Sequence, residues 1–315
     1  MRILLTGLTP EAKRVSLLIP LHNSAPYLEQ LASDIARLTT PFFELLAYDD
    51  SSTDGSAEMA ERLGFTVLRG TGMPRRQSFA RNRLLECASG DYVHFHDHDD
   101  PIHPEFVEKM IKSAARGGLV ICNFEQVGSL TGTHYHQFGE RHAAAPYELV
   151  FDGYVHLNAM LVCRELALRS GGFDEQLTLC EEKDFLYKLL NAGAIVTFVF
   201  EKLAEWRIQQ SSFMSQQGWM GAAAMLRRFL RNCAKNLHPA AKGAFLAYSL
   251  RSAWTYYCAD QSTLSELSVM FHELSDYGLR PRSGLGTKIE WMVTAVGPMR
   301  HCRPAGYWRD GRDAA

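Results

Sequence analysis

Three carboxylates stand within four residues at Asp97, Asp99 and Asp100, directly after the run Tyr92-Val93-His94-Phe95-His96. Val93 and Phe95 alternate with Tyr92, His94 and His96, the period of a strand whose two faces differ, and Pro101 and Pro104 close the stretch. So much negative charge at a strand end is costly unless solvent or a cation neutralises it. Mg2+ and Mn2+ prefer oxygen ligands, keep some of their waters, and usually take one or two carboxylates plus phosphate oxygens. The stretch therefore predicts a divalent metal carrying a diphosphate at the carboxyl end of a strand.

Three further clusters carry chemistry. Asp49-Asp50-Ser51-Ser52-Thr53-Asp54-Gly55-Ser56 follows a second apolar run. Such residues cap helices, but capping needs only one of them, and paired carboxylates at a sheet edge also accept hydrogen bonds from a base N–H and a ribose hydroxyl. Arg75, Arg76 and Arg81 come next, and they suit either phosphate or a solvated helix face. Cys180-Glu181-Glu182-Lys183-Asp184 stands where a helix should begin, a place that favours acids through the helix dipole. Adjacent glutamates point in different directions from one helical turn, so one can face a cleft as a general base while the other is solvated.

The elements that must position these residues alternate. Residues 15–20 read as a buried strand ended by Pro20, and Ser24 as the cap of a helix with Pro26 in its first turn. Strands follow at 43–48 and 65–68, with a short helix through Met59 and Leu63 between them. A helix carrying Phe79, Leu84, Leu85 and Ala88 leads into the acidic strand, another runs from 106 to 114, and 119–122 is the next strand. This pattern implies an α/β fold, a mainly parallel sheet covered on both faces, with ligands at the carboxyl ends of its strands. Residues 125–146 read as a long loop. Order resumes with 158–163, a tight turn at 170–174, a helix from 181 to 190 and a strand at 195–200. Helical stretches then appear at 222–236, 244–258 and 264–274, before a basic tail.

Composition bounds the partners. The chain is 46% hydrophobic and 22% charged with a net charge of −2, which argues against nucleic acid as a partner. Seven cysteines without a C-x-x-C pair fit reduced, mostly buried thiols. The apolar run before Glu11 is too short for a signal peptide, and no stretch reaches the length of a membrane span, so the expected location is cytoplasmic. The basic, apolar stretch 219–237 can lie on an anionic membrane or pack on the protein, which keeps peripheral contact at the inner membrane face open.

Four blocks together resemble family 2 glycosyltransferases, in the same order: residues 15–23 (VSLLIPLHN), 44–56 (ELLAYDDSSTDGS), 80–106 (ARNRLLECASGDYVHFHDHDDPIHPEF) and 171–189 (GGFDEQLTLCEEKDFLYKL). The resemblance covers about residues 13–215. It implies a GT-A glycosyltransferase domain over 1–215, with a nucleotide-sugar half at about 13–123 and an acceptor half at about 124–215, followed by a helical extension over 216–315. It also implies an inverting transfer from a nucleotide sugar, a UDP-sugar foremost, to a glycan or lipid-linked acceptor in surface glycan biosynthesis. By the same resemblance Asp49 and Asp50 meet base and ribose, while Pro20, His22, Asn23, Arg76, Arg81, Asp97 and His98 surround the nucleotide. Asp97-His98-Asp99, with Asp100 adjacent, matches the DXD motif that holds Mn2+ or Mg2+ on the diphosphate. Glu182 falls at the base position of the family's Glu-Asp motif, one methylene longer than the usual Asp, and leaves Glu181 as a rival. Trp206-Arg207-Ile208-Gln209-Gln210-Ser211-Ser212 resembles a later segment supporting metal or diphosphate through Arg207, Gln209 and Ser212, with Gln209 where the family often has His.

Two other readings accompany this one. His94, His96, His98 and His103 crowd the acidic strand, as in a metallohydrolase with an H-x-H-x-D-H site, although His98 and Asp99 stand in reversed order. A binding protein that keeps the fold without turnover would also retain these acids.

Overall fold

The computed structural model describes residues 13–114, 118–128, 132–208 and 218–279. There are two compact units, one within residues 1–127 and 134–208 and the other within 128–133 and 209–315.

The first unit is built on strand β1, Val15–Leu21, in which every residue is buried. A run that is apolar but for Ser16 is what a strand covered on both faces requires. Helix α1 (Ala25–Ala36), β2 (Glu44–Asp49), α2 (Ser56–Leu63), β3 (Thr66–Arg69), α3 (Gln77–Cys87) and β4 (Tyr92–Phe95) follow in strict alternation. β1 pairs in parallel with β2 on one side and β4 on the other, with Leu18 opposite both Leu46 and Phe95. The chain therefore walks outward from β1 through β2 to β3, then returns across β1 to β4. That reversal opens a crevice at the carboxyl ends of these strands.

Beyond β4 the chain forms α4 (Phe106–Ser113), β5 (Leu119–Gly128), β6 (Gly132–His136), the short helices α5 (Glu140–Ala144) and α6 (Glu148–Phe151), and β7 (Met160–Cys163). Helices α7 (Arg164–Arg169) and α8 (Glu181–Asn191) and strand β8 (Val196–Ile208) complete the unit. The strand order is β3-β2-β1-β4-β7-β5-β6, with β8 on β5. β7 runs antiparallel to both β4 and β5. Residues 125–146, expected as loop, contain the end of β5, β6 and α5; β6 is exposed, so it carries no apolar alternation to betray it. β8 likewise outruns the expected 195–200 because exposed Glu201 and Lys202 interrupt its apolar pattern.

An aromatic floor brings α8 to the end of β4. Phe173 stacks on Phe185 of α8 at 4.2 Å, and Phe95 of β4 meets both rings edge-on at 5.1 and 5.6 Å. The start of α8 is thereby held beside Asp97.

In the second unit α9 (Gly218–Lys235), α10 (Lys242–Ala259) and α11 (Leu264–Asp276) are the main helices. The apolar side of α9, with Leu226, Phe229 and Leu230, is buried, and Arg227 pairs with Glu266 of α11 at 3.2 Å. Among the described residues no helix is long and apolar enough to cross a membrane. The described cysteines are free thiols, with Cys122 and Cys233 buried but Cys87 and Cys258 exposed.

At the opposite end of the sheet from the crevice, Gly90 donates to Ser16 Oγ at 3.0 Å, and a Cβ added there would lie 2.5 Å from that oxygen and 2.9 Å from the Arg14 carbonyl. Gly90→Ala is expected to lower stability by about 1–3 kcal/mol, read as a lower urea midpoint with an unchanged slope.

Candidate functional site

The loops after β1 and β2 are zipped together. Asn23 N–H donates to Ser52 Oγ at 2.9 Å, Thr53 N–H to Asn23 Oδ1 at 2.9 Å, and Ser24 N–H to Ser56 Oγ at 2.7 Å. Ser24, expected to cap α1, instead accepts the His22 N–H at 3.0 Å, and the Ala25 amide at the helix start goes to Asp54 Oδ2 at 3.0 Å. His22 Nδ1 lies 2.8 Å from the Asp50 carbonyl. Pro20 is buried within β1.

Asp49 and Asp50 diverge. Asp50 accepts the Arg75 N–H at 2.8 Å and the Arg76 N–H at 2.6 Å, so its carboxylate shapes the turn into α3. Asp49 is buried too, but its Oδ1 has no hydrogen-bond partner among the described residues. A buried acceptor left open is costly, and a ligand N–H or O–H would relieve it.

Asn23, Ser51, Arg76 and Cys180 all adopt a left-handed backbone, at φ of 52°, 62°, 76° and 65°. Each costs about 1 kcal/mol or more in a non-glycine residue. All four sit in the loops that rim the crevice or open α3 and α8.

Arg81, expected near the nucleotide, is fully buried. Its Nη2 donates to Asp97 Oδ1 at 2.8 Å and its Nη1 lies 3.5 Å from Glu181 Oε1. Phe173 of the aromatic floor lies under the guanidinium at 5.6 Å. Burial disfavours the charged Asp97, but the Arg81 guanidinium outweighs it and holds this carboxyl down at about 2. Burial and Asp97 push Asp99 up, against the pull of His98. Burial, Asp97 and Asp99 push Asp100 to about 9.

Asp100 was expected among the metal ligands. Its Oδ1 accepts the Arg207 N–H at 2.7 Å and its Oδ2 the Asn158 amide at 2.5 Å, so it braces the acidic loop from below. Asn158 Oδ1 accepts the Asp97 N–H at 3.1 Å, which ties both ends of that loop to one side chain. His98 and Asp99 are half-buried on the loop between them. The Arg207 side chain is exposed and pairs with Glu205 at 2.7 Å, while Gln209 and Ser212 lie outside the described residues.

The two glutamates of α8 are both turned inward. Glu181 faces Arg81, whereas Glu182 Oε2 accepts the Tyr154 hydroxyl at 3.0 Å. Burial pushes both carboxyls up to about 7, against the pull of Arg81. His156 stands between Glu182 and the acidic loop, its Nε2 3.6 Å from Glu182 Oε1 and 3.7 Å from Asp97 Oδ2. Burial lowers its pKa to about 4, so the ring is neutral. Its Nδ1 accepts the Asn158 N–H, so the ring proton sits on Nε2 and points at the carboxylates. One ligand atom each from Asp97, His156 and Glu182 lies within 4.8 Å of the others, close enough to share a cation if that proton leaves. The ring stacks on Trp206 at 4.9 Å.

Tyr154, His156 and Asn158 escaped the sequence reading. Their signal was present as polar residues at every second position leading into the strand expected at 158–163. The four-histidine crowd dissolves: His94 Nδ1 meets the Met160 carbonyl at 2.9 Å, His96 Nε2 the Asp100 carbonyl at 3.0 Å, and the two rings meet at 3.3 Å. These buried rings brace β4 against β7, and the hydrolase site has no ligand set in them.

Burial is the main cause of the raised carboxyls, and the oxygen-rich donors at Asp97 and Asp99 fit a hard divalent cation. The sign of the pH effect follows. Above the ordinary carboxyl range the unfolded chain has released protons that Asp100, Glu181 and Glu182 still hold in the native state, so their contribution to stability is full below about pH 4 and is lost as pH rises through about 7 and then 9, while buried His96 and His156, lowered to about 4, oppose this loss up to about pH 6.5. Asp97 adds no slope there, since its folded and ordinary values both lie below that window. Urea titrations of metal-free protein should give a lower midpoint at pH 9 than at pH 7, above the histidine range, with Asp100 contributing up to about 1.4 kcal/mol per pH unit, and Mn2+ should restore the loss.

Comparison with known proteins places this geometry. Residues 16–166 match the family described as glycosyl transferase family 2. Among curated relatives, a Bacillus subtilis protein named as glycosyltransferase EpsH is 26% identical over 229 residues, 65% of this chain and 64% of that protein. A B. subtilis protein named for teichuronic acid biosynthesis, TuaG, is 26% identical over 66% of this chain and 84% of its own length. The chain spans less than two thirds of EpsH and 20% of the glycosyltransferase GlyA of Streptococcus pneumoniae. Among solved structures, Staphylococcus aureus TarS 1–349 in complex with UDP-GlcNAc superposes with a TM-score of 0.67 at 17% identity, covering 84% of this chain and 81% of that one. The mannosyltransferase PcManGT of Pyrobaculum calidifontis, in complex with GDP-Man and Mn2+, gives 0.59 at 18% identity over 91% and 81%. At these identities the likeness shows the fold, that of GT-A glycosyltransferases.

Proposed function

We propose, for a chain whose residues 16–166 are a glycosyl transferase family 2 domain on the GT-A fold, that it transfers a sugar from a nucleotide sugar to an acceptor hydroxyl with inversion at the anomeric carbon. One observation carries the reading: Asp97 of the acidic loop and Glu182 of α8 converge on His156 Nε2, at 3.7 and 3.6 Å. A diphosphate-binding end and a candidate base thus lie one imidazole apart.

The open oxygen of Asp49 accepts from the base or ribose of the donor. Asp97 and Asp99 hold a divalent cation, Mn2+ or Mg2+, on the diphosphate. When bound, that cation stabilises the charge left on the diphosphate as a Lewis acid. Glu182 is the base in preference to Glu181: both carboxyls are pushed up to about 7, but Glu181 lies against Arg81 whereas Glu182 has no cation in contact. It takes the acceptor's hydroxyl proton as the acceptor oxygen bonds to the anomeric carbon. The bond from that carbon to the diphosphate breaks in the same step, and its electron pair leaves with the nucleoside diphosphate. A single displacement of this kind needs one base and no covalent intermediate, unlike retaining hydrolysis with its two carboxylates. The relatives named for glycosyl transfer and teichuronic acid synthesis support a surface glycan, free or lipid-linked, as acceptor, made in the cytoplasm near the inner membrane face.

The test is thermal stability with UDP, GDP, CDP and TDP, each with and without Mn2+. One nucleotide, UDP first, is expected to raise the melting temperature only with metal, by the equivalent of about 2.7 kcal/mol at a hundredfold excess over Kd. Asp99→Ala should abolish that shift. Glu182→Gln should keep it while lowering transfer by about 100-fold or more. Transfer that survives Glu182→Gln would remove Glu182 as the base.

A further inference from the structure

The stretch that carries His156 also controls how the Glu182 carboxylate is turned. Tyr154 donates its hydroxyl to Glu182 Oε2 at 3.0 Å, and the Leu157 backbone amide bonds the same carboxylate. The helix of the base holds this stretch in return. Lys183, the next residue of α8, donates from Nζ to the Val150 and Gly153 carbonyls at 2.8 Å each, and its ammonium lies 5.6 Å from the centre of the Tyr154 ring. Trp206 packs on the Tyr154 ring at 5.3 Å. Tyr154 is therefore fixed by its ring and by the backbone just before it, and its one polar atom is aimed at the base.

A buried glutamate has a freely turning carboxyl unless something holds it, and a hydroxyl bonded to one oxygen stops that rotation. Arg81 does not do this for Glu182: its ion pairs are with Asp97 and Glu181. His156 stands at 3.6 Å, beyond hydrogen-bond length. The hydroxyl of Tyr154 is thus the side-chain donor in hydrogen-bonding contact with Glu182.

We propose that Tyr154 is a positioning residue of the transfer reaction: its hydroxyl orients the Glu182 carboxylate toward the acceptor hydroxyl, and Lys183 keeps Tyr154 in register with the helix that bears the base. This rests on the reading of Glu182 as the base. Acting through Glu182, the Tyr154 hydroxyl affects the chemical step and leaves nucleotide binding alone.

The experiment measures nucleoside diphosphate released from the nucleotide sugar that the thermal series selects, with water as acceptor, for wild type, Tyr154→Phe, Lys183→Met, Glu182→Gln and the double variant Tyr154→Phe/Glu182→Gln. Tyr154→Phe keeps the ring and its packing. Its kcat should fall on the order of 10- to 100-fold, with donor KM and nucleotide affinity within about twofold of wild type. Lys183→Met should lower kcat in the same way by a smaller factor. In the Glu182→Gln background the loss of the Tyr154 hydroxyl should cost nothing further, since the two act as one unit. If Tyr154→Phe turns over like wild type while Glu182→Gln is inactive, the positioning role is overturned and the base stands. If Glu182→Gln itself turns over, the base reading fails first. A Tyr154→Phe loss shared equally by nucleotide affinity and melting temperature would mark a merely structural residue and overturn the proposal.

Discussion

The site depends on one buried cation. Arg81 lies wholly inside the protein, with Asp97 on one terminal nitrogen and Glu181 on the other. A guanidinium removed from water is strongly unfavourable unless paired, and carboxylates crowded together are equally so. Each makes the other tolerable. The pairing also reaches across the fold, because Arg81 comes from α3, Asp97 from the loop after β4, and Glu181 from the first turn of α8. Phe173, Phe95 and Phe185 set the height of that first turn, and Arg81 then sorts the carboxylates. It lowers Asp97, occupies Glu181, and leaves Glu182 with a proton affinity suited to a base near neutral pH.

The crevice itself follows from topology. Once β1 is central and the chain crosses it between β3 and β4, the loops after β1, β2 and β4 must meet at one edge. Zipped hydrogen bonds between the first two loops, and left-handed residues at Asn23, Ser51 and Arg76, fix their shape without a ligand. The strain stored there is offset by the sheet beneath, which is apolar and fully buried along β1.

Much of this was legible in the residues. The alternation of apolar runs with helical periodicity marks β1 through α4, and three acidic clusters mark the loops that matter. What stayed hidden has physical causes. β6 and the outer part of β8 are exposed, so no hydrophobic period announces them. Asp50 and Asp100 look like ligands by type, but their roles depend on backbone amides of Arg75, Arg76 and Arg207 that no sequence pattern reports. Arg81 reads as a phosphate contact until its burial is known. Tyr154, His156 and Asn158 belong to no motif, since each matters only through a partner distant in sequence. The antiparallel course of β7 is equally a matter of long-range pairing.

The stretch from Tyr154 to Asn158 touches both halves of the chemistry at once. Asn158 shapes the acidic loop, Tyr154 holds Glu182, the proposed base, and His156 stands between them. A single strip of chain therefore acts as a ruler, and its side-chain spacing sets how far apart the two ends of the reaction can be. Anyone exchanging acceptor specificity by grafting loops into this domain would have to move that strip together with the start of α8, or leave it untouched. A graft whose boundary fell between Tyr154 and Asn158 would give a protein that folds and binds its donor yet holds its two working ends at a length no chemistry can use.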